Sequence, residues 1–236
     1  MLYVDQVLEI WKKEIGYLEK ATNSQLDDKT ANAGSGNWTK YARDMHNAGF
    51  YNGPKNGYAW CAVMFDWCIF MACRNAEEAK KALCYSGPYG AGCKASVQYY
   101  KDAGRYIERG KGTPKPGDQI FFGDPAAHTG IVEKVESGTV YTIEGNSDNR
   151  VRRRSYALGS SSINGYGRPR YDGDFAPFPF VDVPEDKYYY EAVKWAYENG
   201  ITAGTDETHF SPKKSCTRAE TVTMLYKLWE LISGKS

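Results

Sequence analysis

Histidine is scarce in this chain, with three among 236 residues, and no Cys-x-x-Cys pair accompanies it. The ligand spacings of a zinc site are therefore missing. No run approaches the ~20 apolar residues that cross a bilayer. The N-terminus, Met1-Leu2-Tyr3-Val4-Asp5-Gln6, lacks the basic start and apolar core of a secretory signal. With its starting Met, the chain is expected to be made in the cytoplasm without an export signal. An excess of charge of one sign is also missing, with 30 Lys and Arg against 29 Asp and Glu. The formal net charge is +1, which leaves no field to draw nucleic acid or an acidic membrane. Arg152-Arg153-Arg154 has no wider basic face around it and reads as a solvated strand edge.

What is present describes an ordinary globular protein. The hydrophobic share is 42% and the charged share 25%. The length suits one large domain, or one medium and one small. A chain this long folds without disulfides, so most of the six cysteines are expected reduced and buried. Cys84 and Cys93 flank a Gly/Pro-rich loop, and whether they pair stays open. Nineteen Tyr and six Trp supply aromatic faces of the kind that hold extended polymers such as glycans.

The periodicity predicts a helix over 3–20, with Val4, Val7, Leu8, Trp11, Ile15 and Leu18 on one face. Residues 21–37 are a polar loop whose spacing does not match an EF-hand. A short helix is expected in 38–50. The stretch Val63–Ala72 carries one charge in ten residues, so it reads as a helix buried on all sides. Helix-like residues follow at 74–92, ending in a loop at 86–92, and again at 94–103. Pro114-Lys115-Pro116-Gly117-Asp118 is a turn. The period then becomes two, which predicts strands over 119–122, 130–135 and 139–143, the last two joined at 136–138, and one more strand in 147–170. Residues 173–179 read as a linker between a domain over 1–172 and a small unit over 180–236. That unit has a helix over 187–199 and a second one capped by Thr217 and Glu220 as a capping box. Val222, Leu225, Leu228, Trp229 and Ile232 form the apolar face of the second helix.

The chemistry centres on Cys61, which stands where a Gly/Asn-rich loop meets the buried helix. Unpaired N–H groups and the positive helix end favour a thiolate there. His128 precedes one strand of the 136–138 hairpin and Glu144 ends the other, so the register sets His128 opposite Glu144–Asn146. Cys61, His128 and Glu144 or Asn146 supply the nucleophile, the base and the group that orients the base. The oxyanion hole is expected from the Cys61 backbone N–H, with Asn56 or Tyr58 as a side-chain donor.

In order, Trp60-Cys61-Ala62, Pro116-Gly117-Asp118, His128-Thr129-Gly130-Ile131-Val132 and Ile143-Glu144-Gly145-Asn146 resemble the CHAP family of cysteine amidases and peptidases, over about residues 5–172. The resemblance implies an α+β, papain-like fold. It also implies cleavage of a peptidoglycan amide by Cys61, with His128 as base and Glu144 plus Asn146 orienting it. The N-terminal segment looks like phage lysins. Some family members bind calcium through an Asp-x-Asp-x-x-x-Gly-like loop near the Cys. That pattern is missing here, so no cofactor is expected and calcium stays an open alternative.

Phe180-Val181-Asp182-Val183-Pro184, Gly200-Ile201-Thr202-Ala203-Gly204, Phe210-Ser211-Pro212 and Thr217-Arg218-Ala219-Glu220 are similar to an S-layer homology (SLH) motif over 178–232. The likeness implies a small all-α module that binds acidic cell-wall polysaccharide through Arg218, with Glu220 and Asp182. Such motifs usually come in threes, which implies weak wall binding or a homo-trimer through this module. Together the two resemblances imply a phage endolysin of Gram-positive peptidoglycan that acts on the wall after release. The favoured reaction is N-acetylmuramoyl-L-alanine amidase, and the alternatives are an endopeptidase or a non-catalytic wall-binding protein.

Overall fold

A computed structural model describes residues 1–87, 90–173 and 178–233. Positions 88 and 89 of the expected loop, and 174–177 of the expected linker, lie outside the described residues. The chain divides into two compact units, Met1–Ala176 and Pro177–Ser236.

In the first unit, α1 (Val4–Glu14) buries Val4, Val7 and Trp11. It ends earlier than its apolar spacing suggests. Gly16 adopts φ 89, and the chain runs on extended, bridging Leu18 to Arg150 and Lys20 to Trp38. The later apolar residues of the expected helix thus belong to an extended segment. α2 (Lys40–Asn47) is capped by Thr39, whose side chain accepts the Ala42 N–H. α3 (Cys61–Cys73) buries nine of its thirteen residues, in keeping with its almost unbroken apolar sequence. α4 (Ala76–Ala82) is capped by Asn75, and α5 is Cys93–Asp102.

Six strands follow: β1 (Tyr106–Glu108), β2 (Gln119–Phe122), β3 (His128–Glu136), β4 (Thr139–Glu144), β5 (Arg152–Ala157) and β6 (Ile163–Gly167). They form one antiparallel sheet in the order β1-β6-β2-β3-β4-β5. The β3–β4 turn uses Ser137 and Gly138, both at positive φ (48 and 76), as tight hairpins require. Ile131 pairs with Ile143 and Val132 with Thr142, with a bulge between Val132 and Lys134. β5 is an edge strand, and its exposed Arg153 pairs with Glu133. β1 and a second strand in 147–170 went unforeseen, because both are short and alternate weakly.

Ile131 and Ile143 pack with Trp11, Phe65 and the rest of the α1–α3 core, whereas Val132, Val140, Ile120 and Tyr166 form a separate cluster. Phe121 packs with Val97 and Tyr100 of α5. The helices and the single antiparallel sheet make the unit α+β.

The Gly-Asp turn into β2 has a visible purpose. Asp118 is almost fully buried. It accepts the Lys115 N–H at 2.8 Å and takes two bonds from Arg168, both 2.8 Å. A buried carboxylate that loses its cation keeps its desolvation cost. Arg168→Met is therefore expected to destabilise this unit by about 2–4 kcal/mol, read as a lowered urea midpoint with an unchanged m-value.

The second unit has a small core of Phe180, Val183 and Val193, with Phe178, Tyr190 and Phe210 against it. Its helices are α6 (Tyr190–Glu198) and α7 (Arg218–Ser233), and the described stretch between them is turns and irregular chain. The expected all-α module is thus helical only in its regular elements. The capping box is present: Glu220 N donates to Thr217 Oγ1 at 3.2 Å, and Thr217 N donates to Glu220 Oε2 at 2.7 Å. α7 buries none of its described residues, and Val222, Leu225, Trp229 and Ile232 are exposed.

Candidate active site

Cys61 is the first residue of α3, and the N-cap is Trp60. Trp60 is fully buried, and its indole N–H donates to Glu19 Oε2 at 2.8 Å. Glu19 also takes the Asn37 N–H at 3.2 Å. The Tyr17 and Tyr41 rings pack on Trp60 at 6.4 and 5.6 Å between centroids. The thiol is therefore held where its helix begins, with the free N–H groups of the first turn around it.

His128 opens β3. Its Nε2 lies 2.9 Å from Glu144 Oε2 at the end of β4, which leaves Nδ1 as the nitrogen for other partners. The imidazole also interacts with Cys61, as a hydrogen-bond partner and through charge. Phe122, paired with His128 across β2–β3, stacks on the ring at 5.8 Å. Glu144 is 1% exposed, against 29% for His128. Its Oε1 accepts the Thr142 hydroxyl at 2.6 Å, and Tyr156 adds a further bond.

Two glycines give the cluster its room. Gly130 lies between His128 and Glu144 on the same face, and a Cβ there would stand 2.5 Å from Glu144 Cγ. At Gly145 a Cβ would stand 2.7 Å from Met64 Sδ and 2.9 Å from the Trp60 ring, so only glycine lets the end of β4 meet the start of α3.

The electrostatics follow from these contacts. The Cys93 S–H lowers the Cys61 thiol most, burial opposes it, and His128 and the Ala62 N–H lower it further, leaving it well below an ordinary thiol. For His128, burial pulls the pKa down, but bonds and charge from Cys61 and Glu144 outweigh it and raise it to about 9. Burial alone would raise Glu144. Its bonds to His128 and Thr142 and the His128 charge hold it low instead. The result is a thiolate–imidazolium pair backed by a carboxylate, the arrangement that makes a cysteine nucleophilic at neutral pH. Asp66, deeper in α3, accepts the Tyr51 and Tyr85 hydroxyls at 2.7 and 2.5 Å; burial raises it to about 7.

The structure brings Cys61, His128 and Glu144 together. Among the described residues it does not draw Asn146 into their hydrogen bonds; Asn146 follows in a left-handed conformation (φ 56) and is half-buried. Asn56 Oδ1 is taken by the Thr39 N–H at 2.9 Å, and Tyr58 is exposed, so neither is tied to the thiol. Cys93, Thr142 and Tyr156 were missed. Thr142 is legible as the same-face neighbour two residues before Glu144. Tyr156 requires knowing that β5 pairs with β4, and Cys93 requires knowing where α5 begins. Cys84 and Cys93 do not pair; all six cysteines are free.

In the second unit Arg218 is exposed in the first turn of α7 and makes no ion pair among the described residues. Glu220 serves the capping box. Asp182 accepts the Phe210 and Ser211 N–H groups at 2.9 and 2.8 Å, which closes the loop around the small core. Among the described residues no group of three or more His, Cys, Asp or Glu is placed to hold a metal ion, and no helix is long and apolar enough to cross a membrane.

Comparison with known proteins gives two family matches, a CHAP domain over residues 53–146 and an S-layer homology domain over 179–222. The first contains Cys61, Cys93, His128, Glu144 and Asn146, and the second Asp182, Arg218 and Glu220. A stretch of 52 residues is 42% identical to the surface-layer 125 kDa protein of Lysinibacillus sphaericus, covering 22% of this chain and 4% of that protein. The chain thus spans a small fraction of the curated relative that it matches. These findings correct the expected localisation. An S-layer homology domain and a likeness to a surface-layer protein point to a secreted, cell-surface-anchored protein, not to one held in the cytoplasm until release. The phage reading loses its support with it.

The ion pair spans the range from the lowered Cys61 pKa up to about 9, where His128 loses its proton. Alkylation of Cys61 by iodoacetamide is expected to stay fast well below the ordinary thiol range near ~8.5. In Glu144→Gln, which removes a charge that favours the imidazolium, the upper ionisation, where His128 loses its proton, is expected to fall from about 9 toward neutral pH. A wild-type profile with one ionisation near ~8.5 would mark Cys61 as an ordinary thiol.

Proposed function

From a chain that carries a CHAP domain followed by an S-layer homology domain, we infer that the protein is a peptidoglycan hydrolase anchored at the bacterial cell surface. The observation that carries the catalytic half is the Cys61 thiol at the start of α3, beside an imidazole that a buried carboxylate orients at 2.9 Å. The thiolate attacks an amide carbon, and the oxyanion forms among the free N–H groups at the start of α3. His128, protonated up to about 9, gives its proton to the leaving amine. Water then attacks the thioester with His128 as base, and the thiolate returns. Glu144 holds the ring and balances its charge throughout.

The favoured bond is the amide between muramic acid and L-Ala; bonds within the stem peptide or cross-bridge present the same acyl chemistry. Digestion of purified Gram-positive peptidoglycan by the wild type and by Cys61→Ala, with mass spectrometry of the fragments, separates the cases. The expected result is stem peptides that begin at L-Ala, lost in the variant. Shortened peptides still linked to glycan would make the enzyme an endopeptidase. Equal digestion by both proteins would remove Cys61 as nucleophile.

Wall binding belongs to the second unit. Arg218, exposed and without an ion pair among the described residues, is the cation for acidic wall polysaccharide. Asp182 and Glu220 support the loop and the helix start that present it. The exposed apolar residues of α7 supply a face for three chains to assemble through residues 178–232. Light scattering across a range of concentrations is expected to show a trimer; a monomer throughout would end that part of the reading.

A further inference from the structure

Cys93 exchanges no proton or bond in the hydrolytic steps proposed above, yet its sulfur lies in direct contact with the nucleophile. It is the first residue of α5 and is buried, with its Sγ 3.8 Å from Cys61 Sγ. Both sulfurs are free thiols, and both sit at the start of a helix. A disulfide needs the sulfurs at about 2.0 Å, so the two side chains have about 1.8 Å to close.

No other cysteine of the first unit fits this place. Cys84 belongs to the same cluster, but its thiol is directed to the Ala82 carbonyl at 3.8 Å. Cys68 is fully buried within α3, and Cys73 ends that helix, about three turns from Cys61.

We propose that Cys93 is the resolving thiol of a peroxide-sensitive switch, in which oxidation of Cys61 ends in a reversible Cys61–Cys93 disulfide that stops hydrolysis. The steps balance with a peroxide as oxidant. The Cys61 thiolate attacks one peroxide oxygen, the O–O bond breaks, and hydrogen peroxide yields a sulfenic acid and hydroxide. The Cys93 thiol attacks the Cys61 sulfur, the S–O bond breaks, and water leaves. A dithiol later reduces the bond, returning two thiols and becoming a disulfide itself.

A sulfenic acid with no thiol at hand runs on to sulfinic acid, which simple reductants do not reverse. Cys93 diverts the nucleophile from that end. The lowered pKa of Cys61 supports the first step, since the thiolate is the form that reacts. A cell-surface setting supplies the oxidising exterior in which such a device has use. Disulfide formation is independent of the wall substrate; only the loss of hydrolysis rests on the function proposed above.

The test is hydrogen peroxide treatment of the reduced full-length protein, followed by non-reducing peptide mass mapping and wall digestion. The wild type is expected to give one joined peptide pair through Cys61 and Cys93, about 2 Da lighter than the two reduced peptides. Its digestion is expected to fall by about tenfold or more and to return with dithiothreitol. In Cys93→Ser, the Cys61 peptide is expected to gain about 32 Da, and dithiothreitol does not restore that variant's own starting activity. Sulfinate at Cys61 of the wild type without a joined pair, or full recovery of Cys93→Ser, overturns the switch. A joined pair in a protein that digests no wall keeps the disulfide chemistry and removes the proposed hydrolase. Wall digestion with no joined pair does the reverse.

Discussion

Trp60 donates its indole N–H to the buried carboxylate of Glu19, and through that bond the first turn of α3 is tied to the extended segment after α1. A hydrogen bond to a charged acceptor is worth about 1.5–3 kcal/mol, but its value here is positional. α3 is almost wholly apolar, so its rotation rests on a few polar bonds: Asp66 accepts the Tyr51 and Tyr85 hydroxyls, and Trp67 Nε1 donates to Asp44. The Trp60–Glu19 bond and the aromatic rings around it fix the start of α3, and with it the direction of the Cys61 sulfur.

Burial then acts in the same sense on all three members of the site. It disfavours charge on Cys61, His128 and Glu144 alike. Each nevertheless keeps the charged form because its neighbour supplies the opposite sign or a donor. Removing one member leaves another buried and uncompensated, which is why such sets act as units. Thr142 and Tyr156 complete the arrangement by taking up the lone pairs of Glu144 that the imidazole leaves.

The parts legible in the sequence were those set by local rules. The β3–β4 register followed from one tight turn, which placed His128 near Glu144 without any long-range assumption. The buried α3 followed from composition, and the Thr217–Glu220 capping box from spacing. What failed depended on the rest of the fold. α1 ended at Glu14 although its apolar spacing continued, because the later residues found partners in an extended segment. Asn146 shared a face with Glu144 on paper, but the backbone turns left-handed there. The apolar stripe of α7 reads as a core face, yet none of the helix's described residues is buried. Localisation was read from the N-terminus, whereas the deciding information lay in the tail.

Gly130 and Gly145 set the site's tolerance for change in units of a single methyl group. The carboxylate that orients His128 is one way to place an acceptor at a point, and other side chains reach the same point. The two glycines have no such substitutes, because what matters is the carbon they lack. Any reworking of this scaffold toward other amides is therefore bound by two positions that contribute no functional group.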